Sequence, residues 1–427
     1  MCEARKRKNI LIISTPDINQ ASGVIAYDLH KGLSKIYNSQ LLIKNTKEKE
    51  KGIISYYNSF FILYRRVINK LFKNKKIKID PNYYFFDINQ DKELISLSRI
   101  KRIVNKPDCI IAYFMQGFFT IKDLYKVQKY YKAPVLLVMA DMAYITGGCH
   151  YAWDCEGYKN DCSNCPAILQ KEYKHYASDN LELNNQLIQK MNISIVSGSS
   201  QDFEKARESI IFKNKKIFKI LGIINTNIFT KYANKAELKN YYNIEFKSSI
   251  ILFGATKIDE KRKGLKYFIE AINYLEDKTD KNITIISIGR GDLKEVLPNT
   301  RFKIINIGYV DNYKKLAEVY NLADVFVTTT IQDSGPMMIN QSIACGTPVV
   351  CFNIGIAKDI VVSGVTGCKS ELYDTMGMAI NIARILNMPE NKKNDISKEC
   401  VKFAEDKFSL KASNNIFTNI ISTITNE

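Results

Sequence analysis

The stretch 331-IQDSGPMMINQSIACGTPVV-350 reads as a polar loop, a helix of roughly two turns and a buried strand. Asp333 or Ser334 can cap the helix, because a short side-chain oxygen accepts an unpaired backbone N–H. Pro336 suits the first helical position, and Gly346 ends the helix before the strand begins. Unpaired N–H donors at such a helix N-terminus favour anion binding. An ordinary capped helix between two strands would explain the same residues.

Around this stretch, the chain alternates short apolar strands with helical patterns in two successive runs. Such alternation predicts parallel sheets with helices on both faces, so we expect an α/β fold of two doubly wound, Rossmann-like domains. Ligands of such sheets bind at the carboxyl ends of the strands, which predicts a binding cleft between the domains. The predicted strands begin at residues 9, 83, 109, 134 and 193 in the first run and at residues 249, 283, 303, 324 and 348 in the second.

The predicted domain boundaries follow from these two runs. The first domain is expected over residues 1–223, with a cysteine-rich insert at 146–168, and the second over residues 224–405. Residues 406–427 carry a final helical pattern. A chain of 427 residues is long enough for two domains that each have their own core.

Charge and hydropathy limit the cellular location and the binding partners that we expect for the protein. No run of 18 apolar residues is present, and the apolar run near the start is too short for a signal peptide, so we expect a cytoplasmic protein. The net charge is +18, and the segment 60–78 holds seven basic residues, no acidic ones and an apolar helical stripe. This segment could lie on an anionic membrane surface as a peripheral contact, or form a solvated basic face. No recognisable basic motif with interleaved aromatic residues is present, so nucleic acid is not expected as a partner.

Three further loops follow predicted strands. Gly23 lies at a strand-to-helix junction, where the missing Cβ lets a ligand approach the backbone. Lys257 ends a strand, and Lys263 precedes Gly264 and a helix. Two ammonium groups beside a helix N-terminus would hold a diphosphate as it gains charge, although a lysine-rich surface loop is the alternative explanation. The glycines of 288–293 permit another close approach.

The spacing of Asp333 and Gln341 predicts the length of a ligand. Eight residues of helix rise about 12 Å, so the two side chains cannot act on one atom but can contact opposite ends of one long molecule. A nucleotide sugar has that length. Asp333 would contact the sugar and Gln341 the ribose hydroxyls. The diphosphate would meet the helix N-terminus at Gly335, Pro336 and Met337.

These ordered motifs resemble a retaining family-4 glycosyltransferase with the GT-B fold, over nearly the whole chain. When the sequences are aligned on 345-CGTP-348, the Glu-x7-Glu pair of the family falls on Asp333 and Gln341. The phosphate-binding cations of the family fall on Lys257 and Lys263. The resemblance implies that Asp333 and the two lysines are the catalytic residues and that no catalytic metal is needed.

A second matching segment is 307-IGYVDNYKKLAEVYNLADVFVTTT-330, in which the resemblance implies that Gly308 and Val310 line the base pocket. Gly23 matches the N-terminal glycine loop of the family, and the resemblance implies that Gly23 binds the donor. The resemblance also implies that the N-terminal domain binds the acceptor and the C-terminal domain binds the nucleotide-sugar donor. The last helix, within 406–427, would cross back to the N-terminal domain.

Two departures from the family pattern put activity in question. Asp333 and Gln341 replace the two glutamates. The segment 139-MADMAYITGGCHY-151 resembles a family subgroup that has His-Asp where this chain has Ala140 and Asp141. Asp141 is therefore expected on the acceptor side, but the sugar-contacting histidine is missing at residue 140. Either the mechanism tolerates these changes or activity is altered or lost.

Four cysteines crowd the insert with the spacing C-x5-C-x6-C-x2-C: Cys149, Cys155, Cys162 and Cys165. Disulfides are not expected in the cytoplasm, so the pattern predicts a tetrahedral zinc site. Four sulfur ligands leave no open position, and the zinc would be structural. His150 could replace one ligand, and free cysteines in a loop are the alternative. The resembling subgroup carries the same TGGCH…C…CxxCP cluster.

The resulting hypothesis is a retaining glycosyltransferase that moves a sugar from a nucleotide-diphosphate sugar to an acceptor glycan. The basic segment 60–78 motivates a lipid-linked acceptor, as in bacterial surface polysaccharide or glycoconjugate assembly. One alternative is another GT-B nucleotide-sugar enzyme, such as an epimerase, which would need carboxylates placed for proton chemistry. The other is a basic, zinc-containing nucleic-acid-binding protein.

Overall fold

The computed structural model describes residues 7–18, 21–57, 77–85, 90–232, 234–335 and 337–426, with only the backbone at 21 and 22. Pro336 and nearly all of the segment 60–78 lie outside the described residues, so the phosphate contact of Pro336 and the membrane contact of 60–78 stay predictions. Among the described residues, no helix combines the length and the apolar character needed to cross a bilayer.

Two sheets organise the chain, and their strand pairs are parallel. The strands are β1 Asn9–Ser14, β2 Asn38–Ile43, β3 Ile53–Ser55, β4 Cys109–Tyr113, β5 Val135–Met139, β6 Ile193–Ser197, β7 Ile217–Lys219, β8 Ser249–Lys257, β9 Ile283–Arg290, β10 Lys303–Gly308, β11 Val325–Thr328, β12 Val349–Phe352 and β13 Gly367–Ser370. The first sheet has the order β3-β2-β1-β4-β5-β6-β7, and the second has the order β10-β9-β8-β11-β12-β13. The strand order reverses between β1 and β4 and between β8 and β11, as in doubly wound sheets.

Helices connect most of these strands. They are α1 Ala21–Leu33, α2 Leu97–Ile103, α3 Ile121–Tyr131, α4 His175–Gln189, α5 Ser200–Glu208, α6 Lys235–Tyr241, α7 Leu265–Glu276, α8 Leu293–Val296, α9 Tyr313–Leu322, α10 Met337–Ala344, α11 Ala357–Ile360, α12 Thr375–Leu386, α13 Glu390–Lys407 and α14 Leu410–Thr425. Thr120 caps α3 in a reciprocal capping box with Asp123, which fixes where the helix begins after β4.

The second sheet is buried on both faces. Along β8, Ile250 and Leu252 pack into one apolar cluster, and Ile251 and Phe253 pack into another. Successive side chains of a strand point to opposite faces, so the two clusters lie on opposite sides of the sheet. Phe253 stacks on Phe268 of α7 with ring centroids 4.0 Å apart. This two-sided burial explains why the strands read as continuous apolar runs.

The chain divides into two compact units. The first unit comprises Met1–Gly198, Asp202–Ile220 and Asn414–Glu427, and the second comprises Ser199–Gln201 and Leu221–Ser413. The first unit therefore contains the first sheet, and the second unit contains the second sheet. The final helix α14 begins in the second unit and ends in the first.

Nine of the ten predicted strands are present, and the strand predicted at 83–88 is wrong as far as the structure describes it. Residues Pro81–Tyr83 form a turn of 3-10 helix, which Asp80 caps by accepting the N–H of Asn82 at 2.9 Å. Tyr84 follows with a φ of 48°, which is left-handed and incompatible with a strand. Four strands were not predicted: β2, β3, β7 and β13. They are short or carry polar residues, so they lack a continuous apolar run.

Asp324 joins three elements of the second unit at the start of β11. Its Oδ2 accepts the backbone N–H of Ile250 at 2.7 Å, and Lys235 of α6 donates to its Oδ1 at 2.6 Å. Burial alone would raise the pKa of Asp324, but Lys235 and the backbone N–H outweigh burial and hold the pKa below its ordinary value. The carboxylate therefore stabilises the fold in its charged form.

We expect Asp324→Asn to lower the free energy of unfolding by about 1–3 kcal/mol at neutral pH, because Lys235 loses its buried partner. The pKa is depressed in the fold, so this contribution is complete above the unfolded pKa of about 4 and disappears as the pH falls below it. Urea unfolding at pH 7 and at about pH 3 measures both effects. The exposed Asp406→Asn is the matched control, and an equal loss in both variants would contradict the assignment.

Candidate functional site

The carboxyl ends of parallel strands meet at one edge of the second sheet, and this edge carries most of the predicted donor site. β8 ends at Lys257, β9 at Arg290 and β10 at Gly308. The loop after β11 contains Asp333 and leads to α10. Ligands of doubly wound sheets bind at such an edge, next to the point where the strand order reverses.

The loop that carries Lys263 is held against the loop after β11 by its backbone. The N–H of Ile331 donates to the carbonyl of Arg262 at 2.8 Å, and the hydroxyl of Thr329 donates to the carbonyl of Lys263 at 3.1 Å. Gly264 has a φ of 68°, and a Cβ at this position would lie 2.0 Å from the carbonyl oxygen of Thr329. Glycine is therefore required for the two loops to approach this closely.

This contact brings Lys263 close to Asp333. It also places Arg262, which was not predicted as a site residue, beside the same carboxylate. Both Lys263 Nζ and Arg262 Nη1 lie 2.5 Å from Asp333 Oδ2. Arg262 Nε also lies 2.6 Å from Glu260 Oε1. The side chains of Asp333, Arg262 and Lys263 are between 11 and 14% exposed, so the ion pairs are largely shielded from water. Arg262 was missed because one arginine in the basic run 261–263 carries no signal that separates it from solvated neighbours.

The charge state of Asp333 follows from these partners. Burial alone would raise its pKa, but the ammonium of Lys263 and the guanidinium of Arg262 outweigh burial and lower the pKa below its ordinary value. Asp333 Oδ1 also accepts the N–H of Gly335 at 3.1 Å. Asp333 is thus ionised and uses the same kinds of donor that a phosphate would use: two cations and a backbone N–H near the start of α10.

Lys257 and Gln341 do not take part in this ion cluster. The Lys257 side chain is 64% exposed and pairs with Asp259 at 3.3 Å. Gln341 is buried on α10, and its Oε1 accepts the hydroxyl of Tyr320 at 3.1 Å. The amide carbonyl of Gln341 is therefore bonded within the core of the second unit, and only its NH2 group is left as the candidate donor to a ribose.

Open space adjoins Gly308, where a base pocket was predicted. Gly308 has a φ of 81°, and a Cβ there would have no neighbour within 4 Å. Val310 packs against the apolar core, whereas the ring of Tyr309 is half-exposed. The guanidinium of Arg290 lies 5.3 Å from the centroid of that ring. An aromatic face and a cation thus stand beside Gly308, which suits stacking of a planar base.

The first unit places Gly23 and Asp141 at the carboxyl edge of the first sheet. A Cβ on Gly23 would lie 1.9 Å from the carbonyl oxygen of Asp17, so this glycine is required by its own loop. Asp141 follows β5, and its Oδ2 lies 2.6 Å from Nδ1 of His150. Its Oδ1 accepts the N–H of Ala143 at 2.9 Å. An imidazole therefore stands beside Asp141 although residue 140 is alanine, and His150, weighed from sequence as a zinc ligand, is bonded to Asp141 instead.

The four clustered cysteines line one cavity of about 200 Å³ in the first unit. All four are free thiols, and Cys155 is the most exposed of them. Among the described residues, no group of three His, Cys, Asp or Glu side chains is positioned around one point as the ligands of a metal ion are. The cysteines thus share a cavity without converging on its centre.

The family model for glycosyl transferases group 1 matches residues 247–388, which include the whole ion cluster. Among curated proteins, N-acetyl-alpha-D-glucosaminyl L-malate synthase of Bacillus anthracis is 20% identical over 204 residues, which are 47% of this chain and 52% of that protein. The putative colanic acid biosynthesis glycosyl transferase WcaC of Escherichia coli is 23% identical over 243 residues, which are 55% of this chain and 56% of that protein. The matches span about half the length of these relatives.

Solved structures match over nearly the whole chain. Sucrose-phosphate synthase from Thermosynechococcus elongatus has a TM-score of 0.67 at 15% identity, with 98% of this chain and 99% of that chain covered. Anabaena HepE in complex with UDP has a TM-score of 0.63 at 14% identity, with 97% and 100% covered. At this identity the likeness establishes the fold, and the expected fold of two Rossmann-like units of the GT-B glycosyltransferase type is confirmed.

We expect Gly264→Ala to destabilise the second unit because the added Cβ collides with Thr329. Gly364→Ala is a matched control, since Gly364 has a φ of 78° and no neighbour within 4 Å of a Cβ. Both variants place alanine in the left-handed region, so the difference between them isolates the collision. The free energy of unfolding should fall by about 1–3 kcal/mol more for Gly264→Ala than for Gly364→Ala. Equal losses in urea unfolding would show that the two loops separate freely.

Proposed function

We propose that the protein is a glycosyltransferase that takes a sugar from a nucleoside diphosphate sugar and transfers it to the hydroxyl of an acceptor glycan. The observation that carries the proposal is the shielded cluster of Lys263, Arg262 and Asp333 at the carboxyl edge of the second sheet. It lies within the region that matches glycosyl transferases group 1. HepE, a neighbour in fold, has been solved with UDP and with UDP-glucose, which supports a nucleotide-sugar donor.

The cluster suits the departure of a diphosphate. As the bond between the anomeric carbon and the diphosphate oxygen breaks, the electron pair and negative charge pass to the diphosphate. Lys263 and Arg262 are fixed at this place by Asp333 and by the backbone contacts of Thr329 and Ile331. Cations held in advance stabilise the developing charge without the cost of reorganisation. The exposed Lys257 would approach the phosphates only once a ligand is bound.

Asp333 is proposed to exchange partners when the donor binds. The diphosphate oxygens compete with its carboxylate for Lys263 and Arg262, since both anions use charge-assisted hydrogen bonds. Once displaced from the cations, the carboxylate would accept hydroxyls of the transferred sugar. Gly308 and Tyr309 would contact the base, and Gln341 would donate its NH2 group to the ribose.

The finer assignments rest on the sequence resemblance. We propose retention of configuration at the anomeric carbon because the motifs resemble a retaining family. The acceptor hydroxyl would form its bond to the anomeric carbon on the face from which the diphosphate departs, and the departing phosphate would take the hydroxyl proton. A lipid-linked acceptor in bacterial surface polysaccharide or glycoconjugate assembly is supported by the match to WcaC and by the basic segment 60–78. Asp141 and His150 would face the acceptor.

The proposal is tested by incubating the protein with a panel of nucleotide sugars and measuring release of the nucleoside diphosphate, with and without candidate acceptors. We expect one donor to be cleaved slowly alone and faster with an acceptor. Lys263→Ala should weaken binding of the matching nucleoside diphosphate by roughly 10- to 100-fold, which is the loss of one charge-assisted hydrogen bond. Lys266→Ala, an exposed neighbour in α7, is the control and should bind normally.

Asp333→Asn separates the two proposed roles of the cluster. We expect binding of the nucleoside diphosphate to hold or to strengthen, because the competing carboxylate is gone, while transfer falls at least about tenfold. Calorimetry measures the first quantity and product formation the second. A variant that loses diphosphate binding while the thermal unfolding temperature is unchanged would show that Asp333 does not compete with phosphate.

A further inference from the structure

We propose that Cys149, Cys155, Cys162 and Cys165 bind one Zn²⁺ ion through their thiolates, and that this ion holds the loop that carries His150. The proposal concerns only the first unit and does not depend on the reaction proposed for the second. Four sulfur ligands form a closed tetrahedral shell, so the ion would be structural.

The four cysteines line a single cavity although the first and the last are 16 positions apart in the chain. Three of them are buried, and the cavity of about 200 Å³ has room for an ion. The other side chains of the cavity wall include the aromatic rings of Tyr83, Phe85 and Tyr158. A thiol set enclosed in this way suits a thiophilic cation such as zinc better than it suits a hard cation.

Backbone N–H groups already point at three of the sulfurs. The N–H of Gly157 donates to Cys155 Sγ at 3.5 Å, and the N–H groups of Ala167 and Ile168 donate to Cys165. Cys162 receives the N–H of Gly147. Such donors favour the thiolate, which is the form of cysteine that binds a metal ion. A bound cation would stabilise the thiolates further.

Gly157 keeps the space between two of the sulfurs open. A Cβ at this position would lie 3.5 Å from Sγ of both Cys155 and Cys162, and 3.2 Å from Cα of Cys162. Cys162 itself has a φ of 56°, a left-handed conformation that costs energy for a residue with a side chain. The backbone at Gly157 therefore passes close to both sulfurs, as it would in a site built around them.

Zinc binding requires the sulfurs to turn toward the centre of the cavity, because no three of these side chains now converge on one point within the described residues. All four cysteines already line the cavity wall, and the proposal includes rotation of their thiols about the side-chain bonds toward its centre. The competing outcomes are disulfides between pairs of these cysteines and four permanently free thiols. Each outcome has a distinct chemical signature.

The ion would fix the position of His150 at the edge of the first sheet. Cys149 precedes His150 directly, and its carbonyl accepts the hydroxyl of Thr146 at 2.8 Å. The carbonyl of His150 accepts the N–H of Met142 at 3.1 Å, beside the contact of its ring with Asp141. Anchoring Cys149 to three distant cysteines therefore restrains the segment that holds the imidazole on Asp141. Removal of zinc should loosen this segment first.

The test is the zinc content of the full chain, purified under reducing conditions without a histidine tag and measured by mass spectrometry of the element. We expect about one zinc per chain for the wild type. Cys165→Ser should lose most of the zinc and unfold at a lower temperature, whereas Cys368→Ser, a buried cysteine of β13, should keep it. A wild type free of zinc that also fails to bind added Zn²⁺ in the presence of a reductant would overturn the proposal.

A second measurement covers the case in which Cys165→Ser does not fold. Wild-type protein is stripped by a chelator and reloaded with Co²⁺, whose thiolate charge-transfer and visible absorption bands report tetrahedral sulfur coordination. We expect these bands, and we expect chelation to increase hydrogen exchange in residues 142–150. Detection of a disulfide among the four cysteines in protein kept reduced, or absence of the cobalt bands, would contradict the proposal.

Discussion

The structure of the proposed donor site depends on the backbone contact between the loop at 260–264 and the loop after β11. Parallel pairing of β8 with β11 ends both strands at the same edge of the sheet, and the contact then closes the gap between their loops. Gly264 makes that approach sterically possible. Because Lys263 and Asp333 are 70 residues apart in the chain, their ion pair exists only through this contact.

The same contact gives the site its electrostatic character. Two cations and a carboxylate are held largely out of water, where charge interactions are stronger than at the surface. The carboxylate holds both cations, and we propose that the diphosphate of the donor replaces it. If the proposed donor binds here, Lys263 and Arg262 would be preorganised for its diphosphate, because folding of the second unit already brings them together.

The sequence predicted the sheets better than it predicted the site. Strands such as β8 and β12 were found because burial on both faces makes them continuously apolar, whereas β7 and β13 are short and partly polar. The aromatic run that begins at residue 83 was wrongly predicted to be a strand. The 3-10 turn at Pro81–Tyr83 and the left-handed conformation of Tyr84 preclude a strand there. Arg262 and the contact of His150 with Asp141 depend on where loops fold. Arg262 does not stand out within its basic run, and His150 was considered only as a zinc ligand.

The most direct test of the account is a crystal structure with the nucleoside diphosphate that binds most tightly, beginning with UDP. The account predicts a phosphate oxygen within hydrogen-bond distance of Lys263 Nζ and Arg262, with the carboxylate of Asp333 displaced from at least one of the two cations. A structure in which the nucleotide binds elsewhere, with both ion pairs of Asp333 intact, would contradict the assignment of this cluster as the donor site.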